Sequence, residues 1–218
     1  MYSIGTVQLY VIIDITLLEN AGRCAMKVME QALSGGAQMF QMRHKGVPEG
    51  LFFTEAKYLV PIAKKAGVPF IINDSISVAM ACGADGVHLG EDDLPVESAR
   101  KLAGRDFIIG ATARNVAKAI ECERDGADYV GYGAIFQTST KTDAQSGSLD
   151  ELKKILDAVK ISVFPLGGIN ENNILKIVQI GCNRVCVASG IILSDDPKNS
   201  ARKIYLTLTS YKDSGCNI

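Results

Sequence analysis

One short pattern occurs four times in the chain: a glycine, a small residue, one further residue, then a run rich in apolar side chains. The copies open at Gly36-Ala37-Gln38, Gly83-Ala84-Asp85, Gly126-Ala127-Asp128 and Gly181-Cys182-Asn183, with successive spacings of 47, 43 and 55 residues. A helix stopped by glycine, a tight turn and a buried strand is the local structure this pattern requires. Between the copies lie further apolar runs, Pro69-Phe70-Ile71-Ile72, Phe107-Ile108-Ile109-Gly110 and Ser162-Val163-Phe164-Pro165-Leu166, and Leu9-Tyr10-Val11-Ile12-Ile13 precedes them all. Eight strands result, two strand–helix steps per repeat, and four repeats predict an α/β chain folded as a (β/α)8 TIM barrel. That fold places chemistry at the C-terminal ends of the strands.

The length of 218 residues sits near the lower limit for such a barrel, so one domain over residues 1–218 is expected. Residues 1–8 read as a lead-in, and the polar stretch from about 211 to 218 as a frayed tail. A net charge of −1 supplies no field for nucleic acid or an anionic membrane surface. There is no charged-then-apolar leader and no apolar run approaching ~18 residues, so a cytoplasmic chain without a membrane partner is expected. The six cysteines include no Cys-x-x-Cys pair and read as reduced, mostly buried thiols. With two histidines, His44 and His88, zinc is disfavoured. The sequence leaves a homo-oligomer open.

The first helix keeps Ala25, Met26, Val28, Met29, Ala32 and Leu33 on one face before Gly35-Gly36 stops it. The second, roughly 50–65, contains Pro61, which is expected to end or kink it. Further helices are expected near Leu94-Pro95, Val116, Leu149, Asn172 and Asn199, and Pro165 is unusual for a central strand.

Polar residues cluster at the predicted strand ends. Gln41, Arg43 and Lys45 alternate along strand 2, so all three point into the barrel mouth. A guanidinium and an ammonium above an amide make an anion site; a mouth salt-bridge layer is the alternative. Asn73-Asp74 ends strand 3, and strand 4 runs into Gly90-Glu91-Asp92-Asp93. Hard oxygen ligands from two neighbouring loops suit Mg²⁺, although Asn-Asp after a strand also suits a helix cap. Carboxylates beside Arg and Lys favour a polyphosphate with its metal. Thr138-Ser139-Thr140-Lys141 follows strand 6 and offers hydroxyl and ammonium donors to phosphate, or forms a plain solvated loop. Gly167-Gly168 ends strand 7 and Ala188-Ser189-Gly190 ends strand 8, where this fold often binds phosphate. Two anionic groups are therefore expected: a pyrophosphate with Mg²⁺ over strands 2 to 4, and a monophosphate over strands 7 and 8.

The chain resembles the thiamine-phosphate synthase family from Leu9 to Ser189. The resemblance rests on Gln41-x-Arg43-x-Lys45, Ile72-Asn73-Asp74, His88-Leu89-Gly90-x-x-Asp93, Gly131-x-Gly133-x-Ile135-x-x-Thr138-x-Thr140-Lys141 and Gly167-Gly168-Ile169. It implies an enzyme that joins hydroxymethylpyrimidine pyrophosphate to a thiazole phosphate, releasing pyrophosphate. It further implies that Gln41, Arg43, Lys45 and Asn73 hold the pyrimidine pyrophosphate, with Lys141 on its phosphates and Thr112 nearby. Arg43, Lys45 and Lys141 would stabilise the leaving charge, and Asp74 and Asp93 would bind Mg²⁺. Thr138, Ser139, Thr140, Gly168, Ala188 and Ser189 would cradle the thiazole phosphate. The chain departs from the family pattern at Glu91, where Gln is usual, at Thr112 for Ser, at Arg114 where His is common, and in a shorter stretch from Lys141 to Gly147. Alternatives are the thiazole tautomerase paralogue, which needs no pyrophosphate–Mg²⁺ site, a non-catalytic barrel that binds thiazole or thiamine phosphate, and another phosphate-binding barrel of sugar or amino-acid metabolism.

Overall fold

The computed structural model describes residues 3–137 and 147–210. Eight parallel strands form the barrel: β1 (Leu9–Asp14), β2 (Met39–Arg43), β3 (Phe70–Asn73), β4 (Gly86–Leu89), β5 (Ile108–Thr112), β6 (Tyr129–Gly133), β7 (Ser162–Leu166) and β8 (Val185–Val187). Helices alternate with them: α1 (Ile15–Asn20), α2 (Ala25–Ser34), α3 (Glu49–Ala66), α4 (Ile76–Cys82), α5 (Val96–Ala103), α6 (Val116–Arg124), α7 (Leu149–Ala158), α8 (Ile174–Gln179), α9 (Ser189–Ile192) and α10 (Pro197–Ser210). The hydrogen-bonded order is β7-β6-β5-β4-β3-β2-β1-β8.

The four-fold pattern has a physical basis. Its glycines Gly36, Gly83, Gly126 and Gly181 all adopt positive φ, between +69° and +105°, a region that costs an L side chain dearly. The residues that follow, Ala37, Ala84, Ala127 and Cys182, are buried. In three copies the next side chain clamps the start of the preceding strand: Gln38 Oε1 accepts from Gln8 N–H (2.8 Å), Asp85 Oδ2 from Phe70 N–H (2.9 Å) and Asp128 Oδ2 from Ile109 N–H (2.7 Å). Each clamp joins one strand to the next, so β1–β2, β3–β4 and β5–β6 are braced pairs.

The fourth pair is different. β7 and β8 lie against one another without a hydrogen-bonded ladder. This accounts for Pro165. Leu166 C=O accepts from Ile135 N–H on the β6 side, and alternate residues of a strand bond to opposite neighbours. The missing N–H of Pro165 therefore faces β8, where no ladder asks for it.

Inside the barrel, Tyr10, Tyr129 and Phe164 pack edge to face with centroids 5.5–5.7 Å apart. A Cβ at Gly110 would fall 2.0 Å from the Tyr129 ring, so Gly110 is what admits that ring. The lead-in does more than precede the barrel. Ile4 and Val7 join the interior cluster, and Gly5 C=O and Ile4 C=O accept from Arg184 and Ser162, which closes the N-terminal end.

Three sequence expectations are corrected. α1 follows β1 directly, capped by Asp14, whose Oδ1 accepts from Leu17 N–H; six residues are too short to show a periodicity. α3 runs unbroken through Pro61. Pro61 and Lys57, whose carbonyl loses its partner, are both exposed, so that group is on the solvent side while Leu59, Val60 and Ala63 hold the buried face. α8 and α10 begin at Ile174 and Pro197 rather than Asn172 and Asn199.

Candidate active site

A cavity of about 530 Å³ opens at the C-terminal ends of the strands, within the usual range for small-molecule sites. Gln41, Arg43, Lys45, Asn73, Asp74, Thr112, Gly168, Ala188 and Ser189 all line it. The alternation along β2 thus holds in space, and His44, between Arg43 and Lys45, turns away from the cavity. Thr138, Ser139, Thr140 and Lys141 lie outside the described residues, as do the expected tail from 211 and most of the stretch from Lys141 to Gly147.

The floor is a buried polar network. Gln41, 2% exposed, donates from Nε2 to the Tyr10 hydroxyl. The Tyr10 and Tyr129 hydroxyls are 3.0 Å apart. His88 joins them to the wall, with Nδ1 3.2 Å from Tyr129 Oη and Nε2 3.2 Å from Thr112 Oγ1. Burial pushes both tyrosines well above their ordinary values, so they stay neutral hydroxyls. Gln41 and Thr112 are thereby two ends of one chain of hydrogen bonds. Tyr10, His88 and Tyr129 carry no role in the sequence-level assignment, yet strand alternation places each of them inward.

Arg43 Nη1 bonds Asp14 Oδ2, its register partner on β1. Asp14 is 1% exposed and also caps α1, so the guanidinium is fixed in direction and partly neutralised. The sequence reading passed over Asp14, although it shares the inward alternation of Tyr10 and Ile12.

At the β3–β4 rim the two proposed metal ligands come together. Asp74 adopts φ +65°, the one non-glycine residue at positive φ among the described residues, and its N–H donates to His88 C=O at 2.8 Å. That strained backbone is held by β4 and aims the carboxylate at the mouth. Lys45 Nζ stands 3.4 Å from Asp74 Oδ2. Asp93 Oδ2 accepts from Gly90 N–H at 2.6 Å. Partial burial pushes the Asp93 carboxyl above the ordinary range and the neighbouring Asp74 adds to this, against the Gly90 N–H and Lys45. Two hard carboxylates held together, one of them under-compensated, suit a divalent cation with oxygen ligands. The residues present therefore fit Mg²⁺.

The two departures at Glu91 and Arg114 answer one another. Arg114 Nε is 2.9 Å from Glu91 Oε2, across the β4 and β5 loops, and Arg114 lines the cavity. The extra negative charge beside the carboxylate pair is balanced by a cation that the neighbouring loop supplies.

The β7–β8 rim is built from backbone. Gly167 and Gly168 adopt φ +93° and +66°, and a Cβ on Gly168 would meet Gln137 C=O at 2.5 Å. Asn173 Nδ2 donates to Gly168 C=O at 2.8 Å, which fixes the turn after β7. Ser189 opens α9, which has only four residues. So short a helix has little macrodipole, which leaves the local N–H groups and the Ser189 hydroxyl as the donors at this rim. No thiol here is a nucleophile: burial pushes Cys182 up to about 11 and Cys186 higher still.

Fold and site together define a single-domain (β/α)8 barrel with one polar cavity at its C-terminal mouth. The chain belongs to the thiamine-phosphate synthase family, a family of transferases: residues 9–191 match the thiamine monophosphate synthase family. It is 43% identical over 198 residues to the thiamine-phosphate synthase of Clostridium acetobutylicum, covering 91% of this chain and 93% of that one. It is 43% identical to that of Fusobacterium nucleatum over 183 residues, 84% and 89% of the two chains. A solved thiamine phosphate pyrophosphorylase from Pyrococcus furiosus superposes with a TM-score of 0.85 at 33% identity, over 94% of this chain and 96% of that one. A 3-hexulose-6-phosphate synthase from Salmonella typhimurium, 20% identical with a TM-score of 0.66, covers 94% and 99% and shares the fold alone. No described helix is long and apolar enough to cross a membrane.

Proposed function

We propose that the chain joins hydroxymethylpyrimidine pyrophosphate to hydroxyethylthiazole phosphate, giving thiamine phosphate and pyrophosphate, with Mg²⁺ held by Asp74 and Asp93. The observation that carries this reading is the division of one cavity: Arg43, Lys45 and Asp74 line one rim, with Asp93 beside Asp74 just behind it, and the small residues Gly167, Gly168, Ala188 and Ser189 line the opposite rim. A pyrophosphate with its metal fits the first, and a monophosphate fits the second.

The bond between the pyrimidine methylene carbon and the pyrophosphate oxygen breaks, and its electron pair leaves with pyrophosphate. The aminopyrimidine delocalises the benzylic-type cation, and the thiazole nitrogen lone pair closes the new C–N bond. When bound, Mg²⁺ supplies positive charge to the leaving oxygens. Arg43, fixed by Asp14, and Lys45 stabilise the same charge from the β2 side, and Lys141 is assigned to that role from its motif. Gln41 and Asn73, both under 10% exposed, orient the pyrimidine ring, and Thr112 fixes the far wall through His88. Gly168, Ala188 and Ser189, with Thr138, Ser139 and Thr140, anchor the thiazole phosphate. Catalysis is alignment and charge stabilisation, with no protein nucleophile.

The test is pyrophosphate release by the purified protein given both substrates, with Mg²⁺ and with EDTA. Release that needs both substrates and the metal is expected. A folded protein that isomerises a thiazole carboxylate phosphate, or binds thiazole phosphate without turnover, overturns the reading.

A further inference from the structure

We propose that Glu19, His44 and Glu55 form a second cation site, for a divalent metal of the zinc class, on the outer side of the β2 end and loop that carry Arg43 and Lys45. Strand alternation turns His44 away from the cavity into the space between α1 and α3, where its side chain is 6% exposed. Nδ1 lies 2.7 Å from Glu55 Oε2. A carboxylate can only accept, so Nδ1 carries the proton. Nε2 is the nitrogen left facing Glu19, whose Oε2 stands 3.7 Å away.

That second distance is too long for a hydrogen bond. It matches the separation of two ligands on one metal: bonds of about 2.0–2.2 Å at tetrahedral or slightly wider angles leave roughly 3.3–3.7 Å between a nitrogen and an oxygen ligand. The ligand atoms of all three residues lie within 4.8 Å of one another. His44 and Glu19 are the ligands, Glu55 braces the ring through Nδ1 as metal-bound histidines are usually braced, and water completes the shell. Two carboxylates around one imidazole also give the site an excess of negative charge for a cation to offset. A count of histidines speaks against zinc; the fold adds the carboxylates that a count does not see.

Imidazole separates this site from the mouth. Mg²⁺ prefers oxygen ligands alone, whereas zinc-class ions accept mixed nitrogen and oxygen sets. The ion would tie α1 to the β2–α3 loop on one side of the strand while Asp14 ties α1 to Arg43 on the other. The end of β2 and the loop after it, which bear the two cavity cations Arg43 and Lys45, would thereby be held from both faces.

The experiment is titration of Zn²⁺ into the full chain in excess Mg²⁺, by calorimetry against a chelator of known affinity, with Co²⁺ visible absorption as a second readout. A Cys24→Ser background removes the one exposed cysteine among the described residues. One equivalent of Zn²⁺ is expected, bound at least about tenfold more weakly in His44→Gln and in Glu19→Gln, and unchanged in Asp93→Asn. Glu19 is 61% exposed, so its variant keeps the fold even if His44→Gln does not. No Zn²⁺ bound at micromolar concentrations, binding indifferent to Glu19→Gln, or binding lost with Asp93→Asn each overturns the proposal.

Discussion

In the proposed reaction the two rims of the cavity would recognise anions by opposite means. The β2–β4 rim uses long charged side chains, each fixed by a partner: Arg43 by Asp14, Lys45 by Asp74, Asp93 by Gly90 N–H. The β7–β8 rim uses glycines in conformations that other residues avoid, so backbone N–H groups would do the binding there. The difference follows the fate of the two phosphates in the proposed reaction. A leaving group gains charge in the transition state, and full charges already fixed in place act on that change. A phosphate that stays attached needs only a fixed place, which backbone provides without reorganisation.

Substitutions on each side separate these roles. Asp93→Ala should give the largest effect, a fall of about 10²-fold or more in Mg²⁺-dependent kcat, read from turnover across a Mg²⁺ titration; unchanged turnover removes Asp93 from the metal site. Ser189→Asp should raise the KM of the monophosphate substrate about tenfold by like-charge repulsion, with little change for the pyrophosphate substrate. Equal losses for both would erase the division of the cavity. Gly168→Ala should cost about 1–3 kcal/mol of stability, from positive φ and the close Gln137 carbonyl, seen as a lower Tm together with a higher KM for the same monophosphate. Arg114→Ala leaves Glu91 unbalanced at the mouth. The KM of the pyrophosphate substrate should rise by up to about fivefold, as an exposed pair allows, and Glu91→Gln in the same chain should restore most of it.

The smallest effect concerns pH. The folded state holds the Asp93 carboxyl above its ordinary value, so through that window the folded chain keeps a proton that the unfolded chain has lost. Stability then falls as pH rises through the window, and above it the folded carboxylate is a standing cost. Asp93→Asn, which can still accept from Gly90 N–H, should modestly raise the Tm at neutral pH without Mg²⁺ and leave it unchanged at acid pH. A lower Tm at neutral pH would mean that the charge is already compensated.

The barrel was legible because its punctuation is chemical. Positive φ at Gly36, Gly83, Gly126 and Gly181 admits few other residues, and the apolar runs between them have one period. Gln41, Arg43, Lys45, Asn73 and Asp74 were legible for a related reason: strand alternation carries them to one end. What escaped depends on partners distant in sequence. Asp14 shows its use only against Arg43 in the neighbouring strand, and Glu91 reads as a misplaced charge until Arg114 is seen beside it. α1 and the inward-docked Ile4 and Val7 are too short to carry a pattern. Pro61 misled because tertiary packing of Leu59, Val60 and Ala63 holds α3 together against the local cost of the proline.

The seam between β7 and β8 has a bearing on how this barrel opens. Three strand pairs are clamped at their bases, whereas the fourth meets through side chains alone, so amide exchange and early unfolding should begin beside Pro165. Gly168 and Ser189 stand on opposite banks of that seam. An anion gripped by both, as the proposed reaction requires, would be a suture across the one join the main chain leaves unsewn, and loading the monophosphate would then stiffen the ring at that seam.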